Sequence, residues 1–202
     1  NTYETNKINL LSNPTSLYTK QPTVYYGLMY LAKNAKKEVK IHTPYIICND
    51  YMYKELKNIK VPTTIMTNSA ENNGNIFGAV DYLNHKKDII NTGVTIKEYE
   101  GGISYHGKSM TIDDDIAIVG SFNMDMRSAY IDTELMLVIN SKDINKQLKA
   151  SMEEYEKKAA TVKNETEYSH IPEGMKMKEL SDKKKNIKAW FGWAMNGLRF
   201  LF

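Results

Sequence analysis

The sequence predicts an α/β fold, a mixed central β-sheet flanked by helices. Short β-branched, apolar runs alternate with segments that carry apolar residues at helical spacing. A polar stretch with one glycine, Thr67 to Asn75, follows one of those runs, where α/β proteins place binding groups. Hydrophobic residues make up 42% and charged residues 25% of 202 residues, the balance of an ordinary globular domain.

In chain order, residues 7–12 read as a short strand ended by Asn13-Pro14. Val24, Leu28, Leu31 and Ala32 give residues 22–36 an amphipathic helical face. Val39 to His42 is a strand stopped before Pro44, and Asn49 or Asp50 can cap a helix through Ile59. Val61 to Met66 is a buried strand, residues 77–91 a helix and Val94 to Glu98 a strand. Three strand-like segments follow, 104–112, 115–120 and 133–139, and then a long charged helix over 142–162. The reading divides the chain into a catalytic half-domain, 1–165, and a C-terminal connector with a basic, aromatic helix, 166–202.

The net charge of +3 is too small to argue for nucleic acid. Cys48 is alone, so no internal disulfide or cysteine-based metal site can form. Only Arg127 and Arg199 among 27 cations are arginine. No secretory leader and no run of about 18 apolar residues is present. The chain begins at Asn1, which suggests a piece of a longer protein.

Chemistry concentrates between His106 and Asn123. Residues two apart on a strand share a face, so His106 and Lys108 point the same way, and Ser121 and Asn123 repeat the relation. A nucleophile, a cation and two neutral hydrogen-bonding groups can therefore converge on a phosphoryl-sized pocket, with imidazole as a nucleophile near neutral pH. Asp113 falls on the opposite parity and reads as architectural, paired with a lysine. No group of His, Asp or Glu has metal-ligand spacing.

His106-x-Lys108, four residues, Asp113, six residues, Gly120-Ser121-x-Asn123 resembles the signature of the phospholipase D superfamily. The continuation Asp125-x-Arg127-Ser128 and the downstream Glu134 are similar to the second motif of bacterial cardiolipin synthases, with Asp132 where asparagine is usual. A looser resemblance covers about residues 7 to 150. The resemblance implies a catalytic set of His106, Lys108, Asp113 and Glu134. His106 would attack phosphorus and form a phosphohistidine, Lys108 and Asn123 would hold the phosphate oxygens with help from Ser121, and Glu134 would accept from the other imidazole nitrogen. It implies no metal and no cofactor.

Such chemistry needs a second histidine to protonate the leaving alkoxide, and His42, His85 and His170 lack a lysine in register. The second histidine is expected from a missing N-terminal half of the same protein or from a second copy of the chain. The expected function is a phosphatidyltransferase or phosphodiesterase acting on phospholipids, in the bacterial cytoplasm at the inner face of the membrane. A nuclease-like homodimer and a binding module with a spent site are the alternatives. His42 reads as structural, and Tyr45 as either pocket wall or core. The tail, 183–202, joins a lysine cluster to Trp190, Phe191 and Trp193, which suits an anionic bilayer surface or packing on the domain.

Overall fold

The computed structural model describes residues 2–15, 20–191 and 199–201. In chain order the strands are β1 (Lys7–Ser12), β2 (Val39–His42), β3 (Ile46–Ile47), β4 (Thr63–Asn68), β5 (Thr95–Tyr99), β6 (Ser109–Ile112), β7 (Ile116–Gly120), β8 (Met124–Asp125), β9 (Leu135–Asn140), β10 (Ala159–Val162) and β11 (Tyr168–His170). The helices are α1 (Thr23–Lys33), α2 (Asp50–Lys57), α3 (Ile76–Asn91), α4 (Met126–Tyr130), α5 (Lys142–Glu156) and α6 (Asp182–Phe191), with a 3-10 turn at Arg199–Leu201.

Nine strands form one sheet in the order β1-β9-β7-β6-β2-β4-β5-β10-β11. Only β2–β4 and β4–β5 pair in parallel, each joined by a segment that contains a helix; the other neighbours are antiparallel. Parallel neighbours need such crossovers, whereas antiparallel ones need only short turns. The expected mixed sheet flanked by helices is therefore the fold.

The two faces of the sheet differ because side chains alternate. One row of mutually paired residues, Ile96, Ile65, Ile41, Met110, Ile118 and Val138, crosses six strands. It packs with Val24, Tyr25, Leu28 and Met29 of α1 in the main core. The opposite parity carries Lys40, His42 and Lys97, and α5 meets it with carboxylates. Lys40 pairs with Glu153 at 3.2 Å and Lys97 with Glu156 at 2.6 Å. This charged seam explains why α5 has so few buried apolar residues.

The caps follow local chemistry. Asn49 accepts from the Met52 amide at 2.9 Å and starts α2; Asn75 accepts from the amides of Phe77 and Gly78 and starts α3. The expected helix over 142–162 ends instead at Glu156, and Ala159–Val162 becomes β10, antiparallel to β5. Alanine favours helix locally, but an open strand edge next to Tyr99 and Glu98 offers ladder hydrogen bonds that outweigh propensity. β11 then pairs with β10, so the expected boundary at 165/166 falls inside a hairpin of the sheet.

The charged face of α3 next to His85 includes a buried cation. Lys86 is paired with Glu98 at 2.7 Å and lies over the rings of Tyr82 and Tyr168.

Candidate active site

The site forms where β6 and β7 begin and end. The strand expected over 104–112 becomes a ladder only from Ser109; residues 104–108 lie outside the ladder and are held from the side. The clamp is Asn68, at the end of β4 and almost fully buried. Its Oδ1 accepts from the Tyr105 amide at 2.7 Å, and its Nδ2 donates to the carbonyls of Tyr105 at 2.9 Å and Pro44 at 3.3 Å. Asn72 bonds the Asn68 side chain and the Ile103 carbonyl. One residue beyond this clamp stands His106.

His106 and Lys108 are in direct contact, as their parity requires. Lys108 Nζ is 2.8 Å from His106 Nδ1, 3.4 Å from Nε2 and 2.8 Å from the His106 carbonyl. Burial, and then the charge of Lys108, push the imidazole below its ordinary pKa. Burial likewise lowers the Lys108 ammonium, while Glu134 and Asp125 oppose that shift, so both carboxylates are near enough for their charges to act on it. The Tyr45 ring meets the His106 ring edge-on with centroids 6.0 Å apart, which makes Tyr45 a wall of the site.

Gly120 lets the second motif approach. A Cβ there would lie 2.1 Å from the Leu135 carbonyl and 2.9 Å from Met136 Cα, so only glycine permits β7 to lie against β9. The next residue, Ser121, receives the Leu135 amide at 3.1 Å and donates to Glu134. Ser128 donates to the other Glu134 oxygen at 2.7 Å, and the Ser128 hydroxyl accepts from the Asn123 amide at 3.2 Å. Gly120 N also reaches the Lys108 carbonyl at 3.3 Å. Lys108, Ser121, Asn123 and Glu134 thus belong to one hydrogen-bonded assembly. Within it the Glu134 carboxylate is engaged by Ser121 and Ser128 rather than by the His106 ring. The Asn123 Oδ1 is buried and has no partner among the described residues.

Asp113 lies at the far end of β6, seven residues from His106 and so about 20 Å away at ~3.3 Å per residue. Its φ of 51° turns the β6–β7 hairpin. Its carboxylate accepts from the backbone amides of Lys36, Lys37 and Glu38. Burial acts to raise its pKa, but these amides outweigh it and hold the carboxyl below its usual value. Its partners are backbone amides, which brace the hairpin, instead of the expected lysine ammonium, and they lie apart from His106; Lys37 pairs with Asp114.

Two further titratable groups lie near the site. Asp125 caps α4 through the Ser128 amide at 2.6 Å, and burial raises its carboxyl pKa to about 6. His42 is buried between Glu156 at 3.2 Å and the Tyr105 hydroxyl at 3.3 Å, a structural histidine whose pKa burial lowers. Arg127 pairs with Asp132 at 3.0 Å on the surface. An open cleft of about 670 Å³ runs from His106 and Lys108 past Tyr105 and Tyr155 to Lys158.

Of the aromatic tail residues, Trp190 is 83% exposed on α6. The Phe191 side chain and Trp193 lie outside the described residues. No helix among the described residues is long and apolar enough to cross a membrane.

Residues 28–155 match the family described as cardiolipin synthase, PLD-like domain. Cardiolipin synthase 1 of Staphylococcus epidermidis is 30% identical over 159 residues, which cover 77% of this chain and 32% of that protein. A cardiolipin synthase of Staphylococcus aureus is 31% identical over 129 residues, 62% of this chain and 26% of that protein. The chain therefore spans about a third or less of the length of these relatives. Among solved structures, phosphatidylserine synthase from Haemophilus influenzae superposes on 96% of this chain and 48% of its own, with a TM-score of 0.70 and 16% identity. A phospholipase D family member, Nuc from Salmonella typhimurium, superposes on 77% of this chain and 97% of its own, with a TM-score of 0.61 and 16% identity. The two structural likenesses concern the fold, and the family match covers most of the chain, so this protein belongs to the phospholipase D-like domains of the cardiolipin synthase family.

Proposed function

We propose that this chain supplies one half of a phospholipase D-type active site that transfers or hydrolyses the phosphatidyl group of phospholipids at the cytoplasmic face of the membrane. The observation that carries the reading is the contact between His106 and Lys108, with the pKa of both groups lowered. An imidazole held as the free base beside a cation is a nucleophile next to a stabiliser of phosphate charge.

A ring nitrogen of His106 attacks phosphorus, and the P–N bond forms as the bond to the leaving alcohol oxygen breaks. Lys108 and Asn123 donate to the nonbridging oxygens; for Asn123 this requires its amide turned over, so that Nδ2 takes the place of the unpartnered oxygen, and Ser121 joins them only by turning its single O–H away from Glu134. The leaving alkoxide takes its proton from an acid that this motif does not contain, a second histidine. An acceptor hydroxyl, from an alcohol or from water, then gives its proton back to that group, attacks phosphorus and releases His106. Glu134 acts by orienting Ser121 and Ser128.

The second histidine comes from the rest of a longer protein or from a second copy. Two features support an incomplete site: the short span relative to the curated relatives, and an open apolar strip beside Ser121. Ile8, Leu10, Val119 and Leu135 lie on one sheet face and are all exposed.

The test is His106→Ala in the full-length protein with phosphatidylglycerol as substrate. Loss of product by mass spectrometry, together with loss of an acid-labile phosphorylated species on His106, is expected. Phosphatidyl transfer that persists in the variant overturns the reading. Solution mass of the 202-residue chain tells a second-copy dimer from a monomer that awaits its other half.

A further inference from the structure

We infer that α6 is an interfacial anchor that seats the mouth of the active site on an anionic phospholipid bilayer. The inference rests on the phospholipid reading above for the location of substrate, and it concerns a surface outside the reacting groups.

The helix has two dissimilar sides. On the inner side, Lys184 is 7% exposed and its ammonium donates to the carbonyls of Ala70 at 2.8 Å, Glu71 at 2.6 Å and Asn73 at 3.0 Å. The Ser181 amide adds a bond to the Glu71 carboxylate at 2.9 Å. Beyond the helix, Arg199 grips the buried Asp81 at 2.7 Å and the Cys48 carbonyl at 2.9 Å. The Lys184 and Ser181 bonds set that side of α6 against the loop, so the opposite side faces out.

The outer side sets Trp190 in solvent with Lys183, two turns before it, while Lys188, one turn beyond Lys184, is exposed at the flank; neither lysine makes an ion pair among the described residues. Residues 173–190 hold six lysines and three carboxylates. An exposed tryptophan on a helix that carries unpaired lysines matches the headgroup layer of an anionic bilayer, where the indole is half-wet and the ammonium groups meet phosphate.

The anchor is tied to the chemistry. The carbonyls that Lys184 holds belong to the loop after β4, and Asn68 and Asn72 at its base hold Tyr105 and Ile103. Ile103, three residues before His106, is itself 83% exposed at the cleft. A helix resting on lipid would therefore bring an apolar-edged mouth to the surface from which the substrate comes.

The experiment reads binding alone. Trp193→Phe leaves Trp190 as the only tryptophan of the 202-residue chain. This chain is titrated with phosphatidylcholine vesicles, with and without a one-third share of phosphatidylglycerol, and with brominated lipid as quencher. Expected are a blue shift and quenching of Trp190 only with the anionic vesicles, and a loss of affinity of about tenfold or more on joint Lys183→Glu and Lys188→Glu exchange. His106→Ala should bind like the parent, so failure of the catalytic reading and failure of this one are distinguishable. The inference is overturned by absence of binding, or by binding indifferent to phosphatidylglycerol or to the charge reversal. It is equally overturned by a vesicle-free dimer that Trp190→Ala dissolves, which would give this surface to a second copy.

Discussion

The Nζ of Lys108 stands 2.8 Å from the Nδ1 of His106, a cation held against the group that must stay uncharged to attack. Burial and that neighbouring charge both disfavour the imidazolium. The proton-decoupled titration of His106, followed by NMR, should have its midpoint below 6.5 in the parent chain, and Lys108→Met should move it upward. Since the free base is the nucleophile, transfer by the complete enzyme should fall only as pH drops through that lowered midpoint. A midpoint indifferent to Lys108 would contradict the electrostatic part of this account.

Gly120→Ala puts a methyl group into the backbone of β9. The carbonyl of Leu135, 2.1 Å from the new carbon, belongs to a ladder and cannot swing aside. Forcing the strands apart should cost on the order of 3 kcal/mol in urea unfolding and should disturb Ser121 and Glu134, so residual folded enzyme should also be slow. A variant of unchanged stability and rate would mean that the strand pairing tolerates the intrusion.

Asn68→Ala removes four hydrogen bonds and leaves the amide and carbonyl of Tyr105 without their partner. A loss of about 2–4 kcal/mol is expected, because unsatisfied buried groups cost more than the bonds contribute. Asn68→Asp keeps the acceptor for the Tyr105 amide but loses both donated bonds, so it should recover part of the stability. Equal stability of the two variants would argue against a clamp.

Glu156 sits under the site between His42 and Lys97. Burial works to raise its pKa, yet those partners and Lys40 bring it down to about 2 from an ordinary 4.5. A carboxyl whose folded pKa is depressed contributes stability above its unfolded pKa and loses it as pH falls through the folded one. The stability advantage of the parent over Glu156→Gln should thus be full above about pH 4.5 and shrink towards pH 2. Chemical denaturation at several pH values measures it; an advantage that is flat across that window would show that Glu156 is not held as an ion.

Most of the architecture was legible in the residues. Apolar periodicity placed the longer segments from β1 through β9 to within a few residues but missed the short β3, β8 and α4, and of the two cap candidates Asn49 holds the helix start by a local bond. It failed at 159–170, where two alanines favoured helix and a remote strand edge decided otherwise. It failed again at Lys86, since burial of a lysine depends on Glu98 arriving from another strand.

The site divides in the same way. The two-residue spacing of His106 with Lys108 and of Ser121 with Asn123 is a local property legible in the sequence, although the strands themselves hold only Ser109–Ile112 and Ile116–Gly120. Which oxygen meets which donor was left to the tertiary structure. It turned Glu134 towards two serines, put Asn68 behind Tyr105 and locked Lys184 under the loop after β4. Those contacts join residues from six to more than a hundred positions apart, and the longer ones depend on distant elements coming within the few ångströms over which a hydrogen bond acts.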